Sequence, residues 1–133
     1  MPILDLKVSA APSPQLVERL AARLGELTAR ILRKPPELTA LAISFVDPAH
    51  WVVASRTLRA AGRASFFLDL RVTDETNTKD EKAAYLAEVF RAMEELLAPV
   101  PLHEESYVHI HDARAAAYGY GGVTQERRYQ AGR

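Results

Sequence analysis

Apolar and polar residues alternate over two short stretches of the chain, Leu4-Asp5-Leu6-Lys7-Val8 and Leu68-Asp69-Leu70-Arg71-Val72. A period of two is that of a strand with one buried face. Leu4, Leu6 and Val8 share that face in one copy, and Leu68, Leu70 and Val72 in the other. The copies lie 68 − 4 = 64 residues apart, close to half of the 133-residue chain. A polar, turn-forming stretch follows each copy, Ser9 to Ser13 and Thr73 to Asn77, and then a pattern of helical period.

In the first half Leu16, Leu20, Leu24, Leu27 and Ile31 recur at the spacing of one helix face. Ser13 followed by Pro14 predicts the helix start, and Pro35-Pro36 its end. In the second half Leu86, Val89, Phe90, Met93 and Leu97 form the stripe, Thr78-Lys79-Asp80-Glu81 fits a capping box, and Pro99 closes the element. Each helix leads to another strand-like run, Leu41 to Val46 and Tyr107 to His111. The pattern predicts two tandem β-α-β units in a single α/β domain, over about residues 2–60 and 66–122. Their four strands form one sheet with two helices on one face; a ferredoxin-like sandwich is the competing arrangement. The opposite face carries Asp5, Lys7, Asp69, Arg71, Tyr107, His109 and His111. It is solvated in a monomer, or lines a shared interior in an oligomer. Asp5 with Lys7 and Asp69 with Arg71 are expected to be charge pairs on it.

Composition narrows the chemistry. Cysteine is absent, which excludes disulfides, thiolate catalysis and Cys-ligated metal sites. Seventeen basic residues balance seventeen acidic ones, against the basic excess that a nucleic-acid partner requires. No apolar run reaches the length of a membrane span and the N-terminus lacks the build of a signal peptide, so a cytoplasmic domain with no membrane association is expected. His109-x-His111 puts two imidazoles on one strand face, but no third ligand is set beside them and no metal is expected.

The chain opens Met1-Pro2-Ile3, and methionine before proline is normally removed, leaving Pro2 as a free secondary amine. With the paired β-α-β units, this resembles the tautomerase superfamily of 4-oxalocrotonate tautomerase and macrophage migration inhibitory factor-like proteins. Arg33-Lys34-Pro35-Pro36-Glu37 is similar to the latter's Lys-Pro-Pro segment. Tyr107-Val108-His109-Ile110-His111-Asp112 is similar to its Tyr-x-Asn-x-x-Asp strand, and Tyr118-Gly119-Tyr120-Gly121-Gly122 to the glycine-rich close of the short tautomerases. His50-Trp51 occupies the analogous turn of the first half.

The resemblance implies a homotrimer with sites at subunit boundaries and no cofactor. Pro2 is then the catalytic base or acid, Lys34 lies near it, and Tyr107 and His109 reach in from a neighbour. His109 stands where the relatives have asparagine. The arginines by which the short tautomerases bind a dicarboxylate have no counterpart: Ala11-Pro12, Ala40 and Tyr107 stand there instead. The repeat counterpart of Pro2 is the internal Phe66, so each chain carries one proline site.

The residues supply a matching chemistry. A terminal amine titrates near pH 8, and burial or a nearby cation lowers it toward neutrality. Such a base moves a proton between carbon and oxygen of an enol or ketone, while Lys34 and donors from Tyr107 and His109 stabilise the oxyanion. Ile3, Trp51, Tyr118 and Tyr120 are the candidate substrate-binding residues. The expected activity is enol–keto tautomerisation of a small α-keto or arylpyruvate-like carboxylic acid. The alternatives are a hydratase, decarboxylase or dehalogenase working through protonated Pro2, or a non-catalytic trimeric binding protein. Each feature also has a purely structural reading: Lys34 favouring a helix C-terminus, the tyrosines and histidines as a solvated strand face, and the tail Gln125 to Arg133 as a frayed end or a clasp on a neighbour.

Overall fold

The alternation at Leu4–Val8 becomes strand β1 (Ile3–Val8), with Leu4, Leu6 and Val8 buried and the residues between them exposed. Its repeat becomes β5 (Phe66–Thr73), where Phe66, Leu68, Leu70 and Val72 are likewise buried. These two strands are the antiparallel centre of a four-stranded sheet, with Leu4 opposite Leu70 and Leu6 opposite Leu68. Strand β2 (Ala40–Phe45) runs parallel to β1 on one edge, and β6 (Tyr107–Ala113) parallel to β5 on the other. The order is therefore β2-β1-β5-β6. A computed structural model describes residues 2–132; Met1, whose removal the Pro2 chemistry requires, and Arg133 lie outside the described residues.

Helices α1 (Pro14–Ile31) and α3 (Lys79–Leu97) cover one face of this sheet and touch each other. Ser13 caps α1 by accepting from the Leu16 amide, and Thr78 and Glu81 close the capping box of α3. The end of α1 differs from expectation. It stops at Ile31, before the prolines, and Arg33 takes a left-handed φ of 59° that turns the chain out of the helix.

The buried stripe of α3 also differs. It runs through Tyr85, Val89, Ala92, Met93 and Leu96, whereas Leu86 is 39% exposed. Tyr85 belongs to the core because its hydroxyl has a partner there. Thr28 donates to the Leu24 carbonyl at 2.7 Å, leaving its oxygen to accept from Tyr85 at 2.8 Å. The phenol thus bridges the two helices inside an apolar layer.

On the open sheet face the expected charge pairs do not form. Antiparallel register puts Asp5 opposite Asp69, and Asp69 Oδ1 instead lies 3.0 Å from His111 Nε2. Lys7 sits over the Phe67 ring, with Nζ 5.7 Å from its centroid.

The repeat extends further than alternation shows. After β2 comes a hairpin, β3 (Val52–Val53) and β4 (Arg56–Thr57), leading to the short helix α2 (Leu58–Ala61). After β6 the same unit returns as β7 (Gly119–Tyr120), β8 (Val123–Thr124) and α4 (Gln125–Gln130). The offset here is 119 − 52 = 67 residues. Thr57 caps α2 and Thr124 caps α4. Leu58 donates its amide to Trp51 and Gln125 to Tyr118, at 2.8 and 2.9 Å. The tail is therefore neither frayed nor free as far as Gln130. Among the described residues no helix is long and apolar enough to cross a membrane.

Removing the Tyr85 hydroxyl leaves Thr28 with its own donor satisfied, so Tyr85→Phe is expected to cost about 1 kcal/mol in denaturant unfolding. Burial pushes the Tyr85 phenol up to about 12 from its ordinary 10.0. The unfolded chain loses that proton first, so this contribution is whole below pH 10 and fades as pH rises toward about 12. Alkaline unfolding of Tyr85→Phe should accordingly show a shallower decline over that window than the parent.

Candidate active-site cleft

At the end of the sheet where β1 begins and β5 ends, the segment after α1 faces the C-terminal hairpin and α4 across a cleft of about 370 Å³. Arg33, Lys34, Pro35 and Leu38 form one wall. Tyr120, Gln125, Arg128 and Tyr129 form the other, with Thr73 between them. Pro2 is buried at this same end, where its carbonyl accepts from the Ala40 amide at 3.1 Å. It is not among the residues that line the cleft.

Local chemistry holds the first wall. Asn77 Nδ2 donates to the Leu32 carbonyl at 2.9 Å and to Glu81 at 3.0 Å, tying the end of α1 to the start of α3. Glu81 then takes Arg33 at 2.8 Å. The Thr78 amide, with Asn77 and Arg33, holds the Glu81 carboxyl below its usual range. Lys34 projects beyond this network and donates to Thr76 Oγ1 at 2.9 Å. Burial lowers its pKa, and the neighbouring Arg33 charge lowers it further, against the pull of Glu81 and Asp112. Among the described residues no carboxylate pairs with Lys34, so its charge is available to an anion or a developing oxyanion.

The second wall depends on two glycines. A Cβ on Gly119 would overlap the Val123 carbonyl oxygen, and Gly121 adopts a φ of 62° at the hairpin tip. The tight turn brings Tyr120 under Arg128, whose guanidinium carbon lies 3.8 Å from the ring centroid. Arg128 Nη2 also donates to the Tyr120 carbonyl at 2.8 Å. Tyr118 stands behind the cleft, its hydroxyl 2.6 Å from Thr73 Oγ1, with burial raising its pKa.

The other sequence candidates lie elsewhere in the chain. Ile3, Tyr107 and His109 are exposed on the open sheet face. The register places Tyr107 beside Phe67, which faces Lys7, so it belongs to the far end of the sheet from Pro2. His109 packs edge-on against Phe67, Tyr107 and His111 with centroids 5.4, 6.2 and 6.0 Å away. Tyr107 donates to Glu105 at 2.6 Å, and this carboxylate raises the phenol's pKa. Trp51 precedes β3, beyond the end of β2 and far from the start of β1. One chain therefore joins Lys34 and Tyr120 in a cleft near Pro2 and keeps Tyr107, His109 and Trp51 apart from it. Thr73, Gln125, Arg128 and Tyr129 were not legible as cleft residues. Only the continuation of the repeat into residues 119–130 marks the segment that carries most of them.

No protein-family model matches the chain, and no curated protein matches it in sequence. Solved structures do match over nearly its whole length. Pt0534 inactivated by 2-oxo-3-pentynoate has a TM-score of 0.79 at 14% identity, covering 94% of this chain and 98% of that one. The Q0 fused 4-OT symmetric trimer gives 0.74 at 19% identity, covering 98% and 99%. MIF2 of Leishmania major gives 0.75 at 18%, covering 93% and 97%. The fold is that of the tautomerase/MIF superfamily.

Gly119→Ala is expected to open the hairpin and release α4 while leaving the central sheet intact. Hydrogen exchange should then show loss of protection at the 124–130 amides with no change at those of β1 and β5.

Proposed function

We propose that this chain is a cofactor-independent tautomerase acting on a small 2-oxo acid or its 2-hydroxy-enoic form. The observation that carries the reading is Lys34: a half-buried cation without a carboxylate partner among the described residues, in a cleft at the end of the sheet where Pro2 begins β1. With Met1 removed, the Pro2 amine takes the enol O–H proton and a proton is delivered to the β-carbon. The C=C–OH unit becomes CH–C=O, with no change in oxidation state and no leaving group. Lys34 stabilises the negative oxygen between the two steps.

Tyr107 and His109 enter this scheme only from a second copy. The open sheet face supports that: Ile3 is 52% and Tyr107 50% exposed, and Phe67 and His109 stack at the Tyr107 end without a covering layer. The F6 and Q0 fused 4-OT proteins of this fold are trimers. We take the same assembly for this chain, with the open faces inward and Tyr107 and His109 delivered to a neighbour's cleft.

Intact mass should show a chain lacking Met1 that gains the full mass of 2-oxo-3-pentynoate on incubation, since addition of the Pro2 nitrogen across the alkyne expels nothing. The same sample should ketonise phenylenolpyruvate. Pro2→Ala keeps an amine but misplaces it, so kcat/KM should fall about 100-fold or more without loss of the assembly. A retained Met1, or turnover unchanged in Pro2→Ala, would remove Pro2 from the reaction. Sedimentation should give three chains per particle. A monomer with full activity would exclude the cross-subunit roles of Tyr107 and His109.

A further inference from the structure

The repeat provides an internal control for the cleft. The 67-residue offset relates Leu58 to Gln125, Ala61 to Arg128 and Pro101 to Lys34 (58 + 67, 61 + 67 and 101 − 67). In the surface equivalent to the cleft, Leu58 is 1% exposed and packs beside Pro99 and Pro101. At these three positions leucine, alanine and proline suffice, with Arg59 and Arg63 beside Leu58 on the same surface. The cleft replaces them with a glutamine and two cations.

Those replacements are poorly satisfied within the chain. Gln125 is only 7% exposed, yet its Oε1 has no hydrogen-bond partner among the described residues. Arg128 Nε is also buried and without a partner. The guanidinium makes its hydrogen bond to the Tyr120 carbonyl and meets no carboxylate among the described residues. A buried polar atom without a partner destabilises a fold unless something outside the chain completes it. Arg33, Lys34 and Arg128 line the cleft and no acidic residue does, in a chain of zero net charge. Only Arg33 is neutralised, by Glu81.

We propose that Arg128, held flat over Tyr120 and flanked by Gln125, is the carboxylate anchor of this cleft. The planar guanidinium receives the acid's carboxylate, leaving Lys34 for the oxygen on the adjacent carbon. The apolar remainder of the substrate lies against Tyr120, Pro35 and Leu38, which favours a flat aryl or alkenyl 2-oxo acid. This assignment rests on the tautomerase reading for its substrate class. It accounts for the absence of arginine at Ala11, Ala40 and Tyr107, since the anion is taken from the C-terminal helix instead.

The test swaps in the residues of the other half. Calorimetry would compare phenylpyruvate with its uncharged methyl ester on the parent, Arg128→Ala, Arg128→Lys and Gln125→Leu. Arg128→Ala should weaken phenylpyruvate about 10- to 100-fold and leave the ester within about 2-fold, with Arg128→Lys between them. Gln125→Leu should raise the melting temperature, as Leu58 does without a polar partner, while weakening phenylpyruvate. A purely structural clamp on Tyr120 predicts the opposite pattern: a lower melting temperature in Arg128→Ala and equal loss for acid and ester. That outcome, or no binding of phenylpyruvate to the parent, overturns the anchor. Arg128-dependent binding that persists in a parent without enol turnover upholds the anchor and discards the tautomerase reading. Turnover with an unchanged KM in Arg128→Ala does the reverse.

Discussion

The antiparallel pairing of β1 with β5 is the constraint on which the rest depends. It joins two β-α-β units through their inner strands and relates them by an approximate twofold, with Asp5 opposite Asp69. Leu4, Leu6, Leu68 and Leu70 are shielded from water by α1 and α3 together, so neither unit can bury its strand without the other's helix alongside. The same pairing sends the start of β1 and the end of β5 to one end of the sheet. That is why Pro2 shares an end with Thr73, and with the C-terminal hairpin reached from the end of β6.

A symmetric frame would carry two equivalent clefts. The two differ in what is buried there. At one end Leu58 and prolines fill the corner beside Arg59 and Arg63; at the other stand Gln125, Arg128 and Lys34. Buried groups without internal partners are unfavourable for stability, and they persist where a bound molecule completes them. A few side-chain differences thus separate two corners of one repeated frame, each built from residues of both units. Phe66 makes the same point from the other direction: where Pro2 has its repeat counterpart, the chain has an aromatic residue sealed in the core and tilted against Phe90.

The open face of the sheet sets the remaining problem. It has neither the uniform polarity of a solvated surface nor a covering layer. Aromatic rings and imidazoles stack along β6, a lysine lies over Phe67, and Asp69 meets His111. Partly desolvated contacts of this kind gain strength when water is excluded, as happens when a second copy covers them. In the assembly proposed, one surface both holds the particle together and carries groups to a neighbouring cleft.

Much of the fold could be read directly from the chain, because alternation and helical spacing are local. The two strands, both helix starts and the division of faces follow from period two, period 3.6 and two capping sequences. The α3 stripe was misread at Leu86 because Tyr85 is buried through a hydrogen bond to Thr28, a partner 57 residues away. The charge pairs on β1 and β5 were misread because antiparallel register, not adjacency, decides which residues face each other. Pro2 and Lys34 stood out through short motifs. Gln125 and Arg128 did not, since nothing local distinguishes them from any polar tail. Their meaning arises when the hairpin at Gly119–Tyr120 folds α4 against the segment after α1, which brings residues some 90 positions apart (125 − 34 = 91) into one cleft. The sequence by itself determined the periodic elements and the twofold repeat. Tertiary structure alone decided which end of the sheet carries the polar cleft, because that depends on which side chains from both repeats meet there and which buried polar atoms are left without a partner.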